Sequence, residues 1–535
     1  MPIVMTIISS TFISSILENS QQLRLFVALI FLLLILSLVN NSNPRIATAY
    51  FGGTKERVMA IRKAKKQSVR LEKNFSLWVG SLPLTDMQQS MLVSGMPGIG
   101  KSYSVIVPAT LSAIRQGTSI VLYDYAYPEL SQKIAGYAHS QGYDISIFAP
   151  GYKESGVINP VEILENSQDI DTAHQFVFVA SENQGNNSQN SGDNSFFVRG
   201  GVSLVEGAMT LAKSTDFPDL YLASEILALP NLPQRLIHAA NNLDPWVRKA
   251  FAVITALTDA EKTAAGIIAS AQDIMSDFIR PRYISALCDY SSMPLYLEGK
   301  QMIILGVDRQ RRTVATPILA SIIDLLVNKN AVPERSTPIL FVLDEAPSIY
   351  LPNLSQYLAE NRKYGMSFIL GTQNQAQLNK VYSQDEAQTI FSTCATKILF
   401  NPGEYNSAKL YSDLLGDVQV NFWQRTKNSG KSSSHSLSRQ YRTRKLYEPS
   451  QLMKMPEGKA IVLNPGFHNR RDIFVPMKQK FKVSTTDEEA ISFSEQKWPH
   501  LRTMLEEQSW QQPMKPSDMD AYLQAANQLL PMPSS

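Results

Sequence analysis

Residues Gly95-Met96-Pro97-Gly98-Ile99-Gly100-Lys101-Ser102 have the types and spacing that hold a triphosphate, G-x-x-x-x-G-K-[ST]. Glycines in such a loop let backbone N–H groups turn inward on phosphate oxygens without a Cβ in the way. Lys101 then reaches the β and γ oxygens, and the Ser102 hydroxyl ligates Mg²⁺. Tyr103 closes the cradle at the first turn of a helix. Ser90 to Ser94 reads as a short apolar strand and Tyr103 to Arg115 as that helix, its N-terminus facing the anion. The plain alternative is a glycine-rich turn before an ordinary helix.

A second set of residues suits the same chemistry. Pro338-Ile-Leu-Phe-Val-Leu343 is a continuous apolar run, the pattern of a parallel strand covered on both faces, and it ends in Asp344-Glu345. At the carboxyl end of such a strand Asp344 would hold the Mg²⁺ shell, and Glu345 would orient and polarise an attacking water. Tyr364-Gly-Met-Ser-Phe-Ile-Leu-Gly371-Thr-Gln373 is another short strand; Gln373 would end beside Asp344 and sense the γ-phosphate. Arg362 precedes that strand and carries the guanidinium that an arginine finger needs. Catalytic roles therefore fall to Lys101, Glu345, Arg362 and Gln373, metal ligation to Ser102 and Asp344, with ATP and Mg²⁺ as the implied ligands.

Positioning these residues requires a layered fold. Strand and helix signals alternate from residue 76 to about 180, which predicts a parallel sheet flanked by helices. Polar low-complexity sequence from Ser181 to Ser195 marks a boundary. Helical spacing then dominates to about residue 295, an all-α domain inserted into the α/β one. The sheet resumes at Gln301-Met-Ile-Ile-Leu-Gly306 and runs to about residue 480, and 481–535 forms a C-terminal tail with two weak helical stretches.

At 535 residues the chain exceeds one ordinary domain, and 44% hydrophobic with 18% charged residues excludes disorder and a fibrous fold. Cys288 and Cys394 are the only cysteines, too few for a disulfide framework, so the bulk of the chain belongs in a reducing compartment. Leu25 to Val39 is an uncharged run, apolar but for Ser37, and predicts a membrane span. Pro2 to Leu17, diluted by six Ser/Thr, is a second candidate. A signal peptide would carry positive charge before the run, whereas here nine Lys/Arg come after it, between Asn41 and Lys73. Positive loops stay inside, so residues 1–40 read as an N-terminal transmembrane anchor and 41–75 as a cytoplasmic juxtamembrane segment. Arg425 to Lys445 carries seven basic residues and no acid, a loop that touches phosphates or a solvated hairpin.

In order and spacing, Leu343-Asp344-Glu345-Ala346, Arg362-Lys-Tyr-Gly365-Met and Thr372-Gln373-Asn-Gln-Ala-Gln-Leu378 resemble motifs of the type IV secretion coupling proteins. Ile158-Asn159-Pro160, Phe196-Phe197, Leu446-Tyr-Glu-Pro-Ser450 and Met455-Pro-Glu-Gly458 agree, so the resemblance covers about Ser90 to Pro476. Two departures stand out: Asp124-Tyr-Ala-Tyr-Pro128-Glu129-Leu130 is a worn form of the family's element, and Gln89 stands where some members carry arginine. The resemblance implies a P-loop, RecA-like ATPase working as a homohexamer at the bacterial inner membrane. Its partners would be single-stranded DNA, a relaxase or secreted protein, and the inner-membrane components of a type IV system. Competing readings are a docking receptor with little motor activity and a double-stranded DNA translocase of the septal type.

Overall fold

The computed structural model describes residues 27–30, 47–70, 75–185, 193–333, 335–428, 434–469, 472, 474–509 and 511–533. Except for 27–30, both apolar N-terminal runs lie outside the described residues, as do 186–192 of the polar stretch and 429–433 of the basic loop. Among the described residues no helix is long and apolar enough to cross a membrane. The chain forms two units: Met1–Tyr50 with Ser412–Tyr447, and Phe51–Tyr411 with Glu448–Ser535.

The larger unit is built on a nine-stranded sheet. Its members are β3 (Met91–Ser94), β4 (Ser119–Asp124), β5 (Asp144–Phe148), β6 (Gln301–Gly306), β7 (Ile339–Leu343), β8 (Met366–Thr372), β9 (Thr396–Leu399), β12 (Lys459–Leu463) and β13 (Met477–Lys480). The order is β13-β12-β9-β3-β8-β7-β4-β6-β5. The seven strands from β9 to β5 run parallel, and β12 and β13 add antiparallel at one edge. This is the mostly parallel α/β sheet that the alternating pattern predicts. A small antiparallel pair, β1 (Leu77–Val79) and β2 (Leu82–Leu84), precedes it.

Continuous apolar runs form the central strands because both faces are covered. β3, β4, β7, β8 and β9 are buried along their whole length. Burying each large apolar side chain contributes about 1.5–3 kcal/mol, so these strands carry much of the core. Neighbouring Phe341 and Phe368, paired in register, stack with ring centroids 5.0 Å apart. All parallel strands present their carboxyl ends at one edge, so the residues just past β3, β7 and β8 are held side by side.

No described residue between β5 and β6 is in a strand. Helices Ile170–Asn183, Asp193–Lys213, Leu220–Ala228, Leu232–Ala239, Pro245–Ala250, Ala252–Thr255 and Glu261–Ser276 fill this part of the chain. Asp169, Asp219 and Asp244 cap three of them by accepting backbone N–H bonds. The first helix runs unbroken across residue 180 and packs on Arg312–Asn330, the helix after β6. Gln175 donates there to buried Asp324 at 3.0 Å.

The C-terminal sequence folds back on the same unit. Helix Thr485–Glu507 lies against Ser131–Ser140, and its Asp487 pairs with Arg115, the last residue of helix Val107–Arg115, at 2.7 Å. Gly136 permits this approach: a Cβ there would stand 2.6 Å from the Ser494 carbonyl oxygen. The last helix, Pro516–Leu529, packs on Leu220–Ala228.

In the smaller unit, β10 (Asp417–Asn428) and β11 (Ser434–Lys445) form an antiparallel hairpin, and Thr48 bridges to Val418. Lys445 reaches both Asp413 at 3.0 Å and Asp417 at 3.2 Å. Arg442 lies over the Phe422 ring, whereas Trp423 and Tyr441 are exposed.

Candidate active site

β3 ends at Ser94, and the backbone turns at once into the glycine-rich loop. Its path is fixed from both sides: Gly95 N–H donates to the Thr372 carbonyl at 3.2 Å, and Met96 N–H to that of Asn401 at 2.8 Å. The loop is thus pinned between the ends of β8 and β9. Gly98 (φ 74°) and Gly100 (φ 92°) occupy the left-handed region, where a Cβ is strained. Ile99 is buried as the loop's apolar anchor, leaving Met96, Pro97 and Gly98 exposed. A wide π-type turn over Ser102–Ile106 starts the helix that continues as Val107–Arg115. Tyr103 projects from that turn, partly exposed.

Lys101 is buried, and its ammonium donates to the Gly95 carbonyl across the loop. Burial lowers its pKa from the usual lysine range, opposed by the nearby carboxylates of Glu345 and Asp344. The Ser102 hydroxyl donates to Asp344 Oδ1 at 2.6 Å, joining the loop to the end of β7. Burial raises the Asp344 pKa, against the Ser102 bond and the Lys101 charge. Glu345 is raised for the same reason, opposed by Lys101 and by a hydrogen bond from the Gln373 side chain. Lys101, Ser102, Asp344, Glu345 and Gln373 therefore meet at one edge of the sheet.

That meeting depends on β8 lying between β3 and β7. Ser94 pairs with Thr372, and Leu343 with Leu370, so Gln373 comes off the middle strand directly beside both carboxylates. Gly371 makes the close packing possible. A Cβ built there would fall 1.8 Å from the Asp344 carbonyl oxygen, which no side chain tolerates.

A hydroxyl in contact with a half-buried carboxylate is the hard oxygen pair that Mg²⁺ takes when phosphates supply further ligands. Among the described residues no group of three or more His, Cys, Asp or Glu is arranged to hold a metal by itself. The donor set fits a metal–phosphate complex better than an all-protein cage.

Arg362 is placed elsewhere. It is exposed on the single turn Asn361–Tyr364, which leads into the amino end of β8. Gln373 lies past the other end, and seven residues at ~3.3 Å each separate the two by about 20 Å. Arg362 cannot touch the Lys101 edge of its own chain.

A model described as "Type IV secretory system Conjugative DNA transfer" matches residues 47–471, a stretch that holds this whole edge. The chain belongs to this family. Conjugal transfer protein TraG of Rhizobium radiobacter is 26% identical over 247 residues, 44% of this chain and 38% of that protein. Type IV secretion system-coupling protein VirD4 of Bartonella quintana is 24% identical over 233 residues, 42% and 35%. The matched stretch thus spans less than two-fifths of these curated relatives. Plasmid coupling protein TrwB, solved in complex with ADP and Mg²⁺, superposes with a TM-score of 0.61 at 16% identity, covering 83% of this chain and 96% of that one. TrwB with a non-hydrolysable ATP analogue gives 0.60 over the same shares. At that identity the likeness is one of fold.

Other residues that shape this edge gave little signal in the sequence. Asn401 holds the loop after β9 by donating to the Met453 carbonyl at 2.7 Å, while its own carbonyl receives Met96. Asn183 closes a two-point amide pair with Tyr350, six residues past Asp344: Nδ2 to the carbonyl at 2.8 Å, N–H to Oδ1 at 2.9 Å. Neither asparagine sits in a motif. Gly371 did leave a sign, since glycine inside an apolar strand marks a close backbone approach. Asp124, ending β4, accepts from Leu130 N, Ser131 N and Ser131 Oγ at 3.0, 2.8 and 2.6 Å. It organises its own loop, as a strand-end carboxylate would.

Proposed function

We propose that the chain is an ATP hydrolase that drives single-stranded DNA toward a type IV secretion or conjugation channel. One observation carries this: Lys101, Ser102, Asp344, Glu345 and Gln373 converge where a P-loop strand and an acidic strand end side by side. Residues 95–103 cradle the triphosphate, and Lys101 draws charge from its β and γ oxygens. Ser102 and Asp344 would hold Mg²⁺, which when bound neutralises charge shared by those phosphates. Glu345 orients a water and takes up its proton as the water oxygen bonds to the γ-phosphorus and the bond to ADP breaks. Gln373, bonded to Glu345, senses whether the γ-phosphate is present.

Arg362 lies too far from its own chain's Lys101 to assist there, which supports a finger acting on a neighbour's ATP within a homohexamer. Residues 76–180 and 296–480 would form the motor, 181–295 the inserted helical domain that meets a relaxase or secreted protein, and 481–535 the C-terminal tail. Residues 1–40 would anchor the ring in the bacterial inner membrane beside the other type IV components, with 41–75 as a basic collar. The exposed Trp423 and Tyr441 of the basic hairpin suit base stacking.

Steady-state hydrolysis measured with and without single-stranded DNA tests this function. Turnover rising several-fold with DNA is the outcome for a motor; DNA-independent residual turnover would favour the docking receptor, and stimulation by duplex alone the septal-type translocase.

A further inference from the structure

Glu345 is held at both ends by groups from the strands on either side of β7. Its carboxylate accepts from the Gln373 amide, which comes off β8. Its backbone carbonyl accepts twice from Ser348, the N–H at 3.0 Å and the hydroxyl at 2.6 Å. Behind Ser348 stands Tyr123 of β4, on the other side of β7, its hydroxyl 3.0 Å from the Ser348 Oγ.

A serine hydroxyl carries one proton. Ser348 spends it on the Glu345 carbonyl, so Tyr123 must be the donor of the second bond. The three groups thus form a directed chain, Tyr123 to Ser348 to Glu345, in which each bond polarises the next. Tyr123 is wholly buried and pairs in register with Leu343, two residues before Glu345. The sheet itself therefore fixes where its hydroxyl sits.

Two plainer roles for Ser348 fit less well. A serine bonding back to the carbonyl three residues earlier is a common way to finish a short turn. Such a turn needs no outside partner, yet Ser348 meets a buried tyrosine 225 residues away in the chain. Anchoring the loop as a whole falls to other groups. Asn183 pairs with the Tyr350 backbone, and the Tyr382 hydroxyl accepts from Leu351 N–H at 3.2 Å. Loss of the Ser348 bonds would leave that far end in place and free the peptide that carries Glu345.

We infer that Ser348, backed by Tyr123, is a positioning residue for ATP hydrolysis: it fixes the Glu345–Ala346 peptide so that the carboxylate meets the attacking water in line with the phosphorus. The inference rests on Glu345 acting as the base. Misplacing a reacting group by about 1 Å costs up to about 10²-fold in rate. Because Ser348 acts only through Glu345, it bears on the hydrolysis step and leaves nucleotide binding alone.

Ser348→Ala by itself strands the buried Tyr123 hydroxyl, which destabilises the fold for reasons unrelated to positioning. Removing both partners at once avoids this, so the test is the pair Tyr123→Phe with Ser348→Ala in the full-length protein in detergent. Mg-ATP affinity and single-turnover hydrolysis are measured on each preparation. The pair should slow hydrolysis about tenfold, with Mg-ATP affinity within about twofold of the wild type. Ser348→Thr, which keeps the hydroxyl, should retain the wild-type rate. With Glu345→Gln already present, the pair should slow the residual reaction no further, because no base is left to position. A wild-type rate for the pair overturns the inference, as does a Ser348→Thr variant as slow as the pair. So does affinity falling in step with rate, or an equal further loss on the Glu345→Gln background, since either means that the site has deformed generally. Wild-type hydrolysis by Glu345→Gln alone is a separate failure, which removes the base and the inference with it. Should the pair fold poorly, Tyr123→Phe alone, which strands no donor, repeats the comparison with the same outcomes.

Discussion

Two half-buried carboxylates held next to one buried lysine define the chemistry of the edge, and loss of solvent sets how each titrates. Glu345 must be ionised to take a proton, and its pKa lies above the usual 4.5. Turnover should therefore fall on the acid side at a pH higher than an exposed glutamate would give, and a pH profile of kcat measures it. An acid limb at or below 4.5 would argue against Glu345 as the base. Asp344 carries a linked stability consequence. Its folded-state pKa is raised, so the folded chain holds more protons than the unfolded one between the two values, and stability falls as pH rises through that window. Near neutrality the apo protein bears the cost of a half-buried charge. Asp344→Asn should raise the apo melting temperature at pH 7 by on the order of 2 °C, and the gain should vanish as pH drops toward 4. A lower melt at pH 7 would contradict this.

At the scale of elements, the insertion of β8 between β3 and β7 is what brings Gln373 to the two carboxylates. Gly371 is the weak point of that arrangement. Gly371→Ala should cost about 2–4 kcal/mol and depress hydrolysis, because the new methyl drives into the Asp344 backbone; chemical denaturation and turnover on the same sample check both. A variant with wild-type stability would show that the strands have room to part. Much of this layer was legible in the sequence. Apolar runs ending in Asp344-Glu345 and in Gln373 announced parallel strands with polar carboxyl ends, because strands covered on both faces leave no alternation to misread. That β8 lies beside β7 was legible from Gln373, but the pairing of β3 with β8 was not, since residues hundreds of positions apart leave no local trace of their pairing. Nor were Asn401 and Asn183, whose value lies in one backbone partner each. The C-terminal helices looked weak for a related reason: Thr485–Glu507 is charged along much of its exposed side, and its stability comes from packing on Ser131–Ser140 rather than from its own sequence.

At the scale of the whole molecule, about 20 Å of strand between Arg362 and Gln373 separates two parts of the proposed chemistry. Such a design works only when one chain's Arg362 meets another's P-loop. Lys101→Ala and Arg362→Ala should each be nearly inactive alone, yet mixing the two should restore part of the turnover, because some interfaces then pair an intact loop with an intact arginine. Additive, unrestored activity over a range of mixing ratios would place Arg362 outside the reaction. For the proposed ring, activity should also rise more steeply than linearly with protein concentration at the low end, where such an assembly would come apart.

One edge of the sheet, with Glu345 beside Lys101 and Gln373, is proposed both to bind and to hydrolyse ATP. Nucleotide affinity and single-turnover hydrolysis of Glu345→Gln, measured on the same preparation, test it most directly. Mg-ATP should bind as tightly as to the wild type while the hydrolysis step slows by about 10²–10³-fold. Hydrolysis by this variant at the wild-type rate would remove Glu345 from the reaction.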